Sequence, residues 1–199
     1  AIPLSLGRQL EKGTGKLKLL KNTIIRWMKL TFFAIFVIHV YPYMLGYPAP
    51  WMNELVAIAA FALMFLIFMR NPFHLSKWGN RTMNTLAYAA AVALILFQPY
   101  AEGKPFMLKD EDIIMLILAN VSLTGAVIYL LTPHKPMARL ALIPLLMAFY
   151  LSAKTDGSWQ QAMRDFTFAP WLYHVAYQEY LLIIIPGMVA GDLMTRWLK

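Results

Sequence analysis

The stretch that decides the fold is Ile113–Leu131, IIMLILANVSLTGAVIYLL, which carries no charged side chain from end to end. At the α-helical rise, a run of that length covers about 28 Å, close to the roughly 30 Å hydrocarbon core of a bilayer. Leu55–Met69 repeats the pattern earlier in the chain. Over all 199 residues, 60% are hydrophobic and 14% charged, against roughly 25% charged in an average soluble domain. Too little polar surface remains to coat a water-facing globule. The composition therefore points to an integral membrane protein and away from a soluble enzyme, a disordered tail or a nucleic-acid-binding domain, despite the net charge of +8.

Working outward, a spanning helix needs about 20 mostly apolar residues. Six segments qualify: 24–46, 53–70, 82–100, 112–132, 138–153 and 170–197. The expected fold is an all-α, polytopic bundle of six transmembrane helices over residues 24–199, preceded by a basic amphipathic segment over 1–23. The fifth span is short and holds Pro144, so a five-span reading competes. Turn chemistry separates the spans: Tyr47-Pro48-Ala49-Pro50, Asn71-Pro72, Ala101-Glu102-Gly103-Lys104-Pro105 and Thr132-Pro133.

Charge then orients the bundle. With six spans, the N-terminal segment, the second and fourth loops and the C-terminal tail share one side. That side holds 14 of the 18 Lys and Arg, the other only Lys104, Lys109, Lys154 and Arg164. The positive-inside rule places both termini in the cytoplasm, most simply of a bacterial inner membrane. The basic surplus is thus mainly a topology signal. Residues 1–22 carry Arg8, Lys12, Lys16, Lys18 and Lys21 without a continuous apolar core, so no secretory signal is expected there. This segment suits the anionic cytoplasmic leaflet, where each cation contributes about 1 kcal/mol, or a partner subunit.

There are no cysteines, which removes disulfides, thiolate nucleophiles and cysteine-ligated iron–sulfur clusters. Two cytoplasmic turns look alike: Pro72-Phe73-His74 with Lys77 and Arg81, and Pro133-His134-Lys135 with Arg139. They are candidate lipid-headgroup contacts, although ordinary turn chemistry yields the same pattern. Gly187 and Gly191 form a GxxxG pair just after Pro186, the small-residue spacing that lets membrane helices approach closely.

Ionisable residues inside spans are costly and mark function first. On the six-span reading, His39, Asn120, His174 and Glu179 lie roughly 6–13 Å below the outer boundary. Tyr41, Tyr177 and Gln178 stand nearby as hydrogen-bonding partners. His39 and His174 are the candidate ligands of a b-type haem; alternatively the cluster addresses a quinone head group. Structural glue between helices is the bland alternative. The four histidines invite comparison with membrane cytochrome b subunits, but His74 and His134 fall in turns, which leaves at most one outer haem.

No complete catalytic motif is present, so no catalytic residue is assigned. The expected function is a non-catalytic inner-membrane subunit of a larger complex, of an electron-transfer or energy-conversion kind, with a quinone or haem pocket. Its partners would be the bilayer, anionic lipids and other membrane subunits, and no nucleic acid. The alternative is a stand-alone transporter or channel with Glu179, His39 and Asn120 along its path. A lipid-modifying enzyme ranks third.

Overall fold

Helices account for 77% of the computed structural model, which describes residues 3–69, 76–103, 105–108, 110, 112–133 and 135–197. A π-helical turn at Pro3–Gly7 leads into α1 (Arg8–Glu11), followed by α2 (Lys16–His39), α3 (Pro50–Phe68) and α4 (Lys77–Phe97). Then come α5 (Ile113–Leu131), α6 (Pro136–Leu140), α7 (Leu142–Ser152), α8 (Trp159–Asp165) and α9 (Leu181–Trp197). One antiparallel pair, β1 (Thr167–Ala169) and β2 (Tyr173–His174), and a 3-10 turn at Ala176–Tyr180 separate α8 from α9.

Local chemistry sets these boundaries. Pro50 opens α3 where a missing N–H costs nothing, and Ala49 before it is extended. The Ser76 hydroxyl accepts the Gly79 N–H at 3.2 Å and starts α4. Pro144 has no N–H to offer the Leu140 carbonyl, and the regular hydrogen bonding lapses at Ala141, whose backbone stays helical, between α6 and α7. The expected fifth span is this interrupted apolar stretch, Pro136–Ser152, shorter than the length of a span.

Among the described residues, two helices are long and apolar enough to cross a membrane, α3 and α5. α2 carries Lys16, Lys18, Lys21, Arg26 and Lys29, and α4 begins with Lys77 and Arg81, which lowers their apolarity. A single helix over 170–197 does not form. The β1–β2 pair aligns Thr167 with His174 and Ala169 with Tyr173, so regular helix begins only at Leu181. Depths counted along a helix from Pro170 do not apply to His174 or Glu179.

The contacts divide the chain into two compact units, one of Ala1–Phe33 with Ile113–Lys199 and one of Ala34–Asp112. In the second unit α3 and α4 pack side by side. Ala60, Met64 and Ile67 of α3 and Ala87, Ala91 and Ile95 of α4 are buried, small residues allowing the close approach. Ile58, Phe61 and Phe65 remain exposed. Gly46 donates its N–H to the Pro99 carbonyl at 2.9 Å, and a Cβ there would sit 2.5 Å from the Tyr100 carbonyl oxygen. Only glycine fits.

In the first unit Leu6, Leu19, Val121, Leu181, Ile185 and Met188 form the centre of the hydrophobic core. α5 packs against α9 and against the 3-10 turn, while α6 and α7 both reach α9. Arg139 on α6 is fully buried and ion-paired with Asp192 on α9. Its guanidinium lies 4.7 Å from the ring centre of Tyr129, whose hydroxyl donates to Asp192 at 3.1 Å. Such a charge is tolerable in an apolar core only when paired.

Candidate functional site

Each residue singled out from sequence now has an address. His39 and Tyr41 belong to the unit Ala34–Asp112, whereas Asn120, His174, Tyr177, Gln178 and Glu179 belong to the other. His39 is buried, with Nδ1 2.7 Å from the Ile35 carbonyl and Nε2 3.1 Å from the Met107 carbonyl. A neutral imidazole can donate to only one of them. Gln98 Nε2 in turn donates to the His39 carbonyl at 2.6 Å, and Phe106 and Tyr100 pack on the ring. Every side of this histidine is engaged in joining the end of α2 to the segments around Gln98 and Met107. Iron ligation through Nε2 would require displacing a backbone carbonyl. Tyr41 is exposed and stacks on Tyr43 at 5.4 Å.

His174 does not sit on a helix. Its Nε2 is 2.6 Å from the Pro170 carbonyl and its ring is 4.6 Å from that of Tyr177. His174 and Gln178 share no helical face, because residue 174 is in β2 and 178 in the 3-10 turn. Glu179 is exposed. Asn120 is fully buried, its amide donating to the Leu116 carbonyl at 2.9 Å while its Oδ1 has no partner.

Of the expected headgroup residues, His74 and His134 lie outside the described residues, as does the side chain of Lys77. Arg81 and Lys135 are exposed. Arg139 is corrected: its pairing with Asp192 turns it into the core rather than toward headgroups. At Gly187 a Cβ would meet nothing within 4 Å, so that position of the GxxxG pair packs against no part of this chain among the described residues.

A cleft of about 910 Å³ lies in the unit containing α5 and α7–α9, near the top of the roughly 300–1,000 Å³ range of small-molecule pockets. α5 supplies Thr124 and Ile128, α7 its face from Leu142 to Ser152, α8 Trp159 and Met163, and the 3-10 turn Gln178. α8 is held in place locally: Ser158 accepts the Gln161 N–H at 3.1 Å, and the Gln161 side chain accepts the Gly157 N–H at 2.8 Å. This is a near variant of the capping box. Ser158 also donates to the Ser152 carbonyl at 3.3 Å, tying α8 back to the end of α7. Tyr150 donates to the Val175 carbonyl at 2.7 Å and fixes the opposite wall. Leu145, Trp159 and Met163 line the cleft yet stay half or more exposed, so it is open to its surroundings.

The polar atoms are few and unusual. Gln178 is only 6% exposed, and neither its Nε2 nor its Oε1 has a hydrogen-bond partner. Ser152 Oγ, on the same lining, is also buried and unpartnered. A buried polar group without a partner costs about 1–3 kcal/mol, so such atoms in a cleft wall point to something that binds there. Among the described residues no Asp, Glu, Lys, Arg or His lines it, and there is no cluster of three or more potential metal ligands.

Sequence reading had reached Gln178 but missed Tyr150, Ser152 and Trp159. A signal was available in the polar pair Tyr150 and Ser152 closing an apolar run just before the Ser158–Gln161 helix start. No curated protein and no solved structure matches the chain. The family model that does match is a domain of unknown function, over residues 1–194, and the chain belongs to that family, DUF5009.

Proposed function

We propose that the chain is a membrane-embedded helical module whose α5–α7–α8 cleft holds an amphipathic small molecule with a long apolar chain, such as an isoprenoid quinone or a similar lipid-soluble carrier. The observation that carries this reading is the Gln178 amide, buried in an almost wholly apolar wall with both polar atoms unpartnered. An apolar pocket with a few convergent polar groups is the usual form of such a site. Haem is the weaker candidate, because His39 already faces two carbonyls and His174 a third.

The six-span arrangement with both termini in the cytoplasm belongs to the same proposal. Its support is the distribution of Lys and Arg and the two helices, α3 and α5, that meet the length and apolarity of a span. Within it the chain serves as a non-catalytic subunit of a larger inner-membrane assembly, and the basic face of α2 meets anionic lipid. The open position beside Gly187 is a place where a partner helix would pack.

The test is purification in mild detergent followed by extraction and mass spectrometry of what stays bound. A chain-bearing molecule near one per protein, lost when Leu146→Trp fills the cleft, is the expected result. Only bulk lipid, unchanged in that variant, would remove the proposal.

A further inference from the structure

The buried donors and acceptors left without partners in the cleft wall specify more than an apolar ligand. Gln178 presents one unsatisfied donor, Nε2, and one unsatisfied acceptor, Oε1, and Ser152 Oγ can act as either. Tyr150 and Thr124 do not complete this set, since their hydroxyl hydrogens go to the Val175 and Asn120 carbonyls, and Gln160, also on the lining, is partly exposed rather than buried. A carbonyl head group only accepts. It would satisfy Nε2 and leave Oε1 buried without a proton. A carboxylate or phosphate head would enter a wall that offers no cation among the described residues and pay its desolvation without compensation.

We infer that the head group is an uncharged hydroxyl, able to donate and accept at once, as in a long-chain alcohol or the reduced, quinol form of a quinone. This deepens the ligand-binding reading and rests on it. The hydroxyl donates to Gln178 Oε1 and accepts from Gln178 Nε2 or Ser152 Oγ, while the chain runs between Leu142–Phe149 of α7 and Trp159 of α8. The site thereby selects on redox state: a quinone, which lacks the two electrons and two protons of its quinol, binds less tightly than the quinol, because binding it strands a buried acceptor.

Trp159 on the cleft wall supplies the readout, taken as the emission difference between the native protein and Trp159→Phe in nanodiscs. The probes share one chain: farnesol, farnesyl methyl ether, farnesylacetone and farnesoic acid at pH 8. Farnesol is expected to bind at least about tenfold tighter than the ether and the ketone, which lack the donated proton, and tighter than the acid. The advantage should vanish in Gln178→Leu and shrink in Ser152→Ala, a small change that keeps the inference testable if the first variant folds poorly. Equal binding of alcohol, ether and ketone would overturn the hydroxyl assignment and leave the cleft a chain-binding site. Failure of all four to perturb Trp159 would overturn the binding reading itself.

Discussion

Arg139 and Asp192 form a buried ion pair between α6 and α9, with the guanidinium wholly inaccessible and its Nε and Nη1 unpartnered. Removing one partner leaves an uncompensated buried charge. Asp192→Asn should therefore destabilise the chain by about 3–5 kcal/mol, whereas Arg139→Met with Asp192→Leu should cost much less. Denaturant titration in detergent checks this. Equal losses in the single and double variants would mean that the pairing is not what holds α6 to α9.

Two glycines should respond in opposite ways. Gly46→Ala drives a Cβ to 2.5 Å from the Tyr100 carbonyl oxygen, backbone against backbone, and is expected to cost about 1–3 kcal/mol. Gly187→Ala enters open space within a helix and should be neutral or slightly stabilising, by up to about 1 kcal/mol. Thermal melts of the two variants separate these outcomes. If Gly187→Ala instead releases a co-purifying protein without changing the melt, the open position is a subunit interface.

His39→Phe keeps a ring against Phe106 and Tyr100 but loses both carbonyl contacts. The Met107 carbonyl keeps the Asp110 N–H at 3.1 Å, so what is lost is the one hydrogen bond that the imidazole donates, about 1 kcal/mol. The visible spectrum of the purified protein should not change. Loss of a Soret band on this substitution would restore the haem reading.

The absence of cysteine makes topology directly measurable. Single replacements Thr14→Cys and Lys135→Cys should resist a membrane-impermeant maleimide in intact cells, while Asp110→Cys and Asp156→Cys should react. Labelling of position 14 from outside would invert the proposed orientation.

How much of this was legible in the sequence depends on whether the cause is local. The second and fourth expected spans, 53–70 and 112–132, lie within a few residues of α3 and α5, because uninterrupted apolar runs and flanking prolines are local signals. The sixth was misread because Tyr173-His174 is as apolar and aromatic as a helix end would be. What turns it aside is pairing with Thr167–Ala169, which no periodicity announces. Arg139 looked like a cytoplasmic charge for the same reason, its partner Asp192 being far along the chain. Gln178 was found because a polar side chain in an apolar segment stands out. Its vacancy of partners became visible only with the walls of the cleft in place.

The most direct measurement is photolabelling of the protein in nanodiscs with a long-chain alcohol carrying a diazirine, followed by peptide mapping. Label concentrated in Leu142–Ser152 and Trp159–Asp165, and displaced by excess farnesol, is what a ligand seated beside Gln178 predicts. Label spread over the exposed apolar faces, such as Ile58, Phe61 and Phe65 of α3, and insensitive to competitor would contradict it.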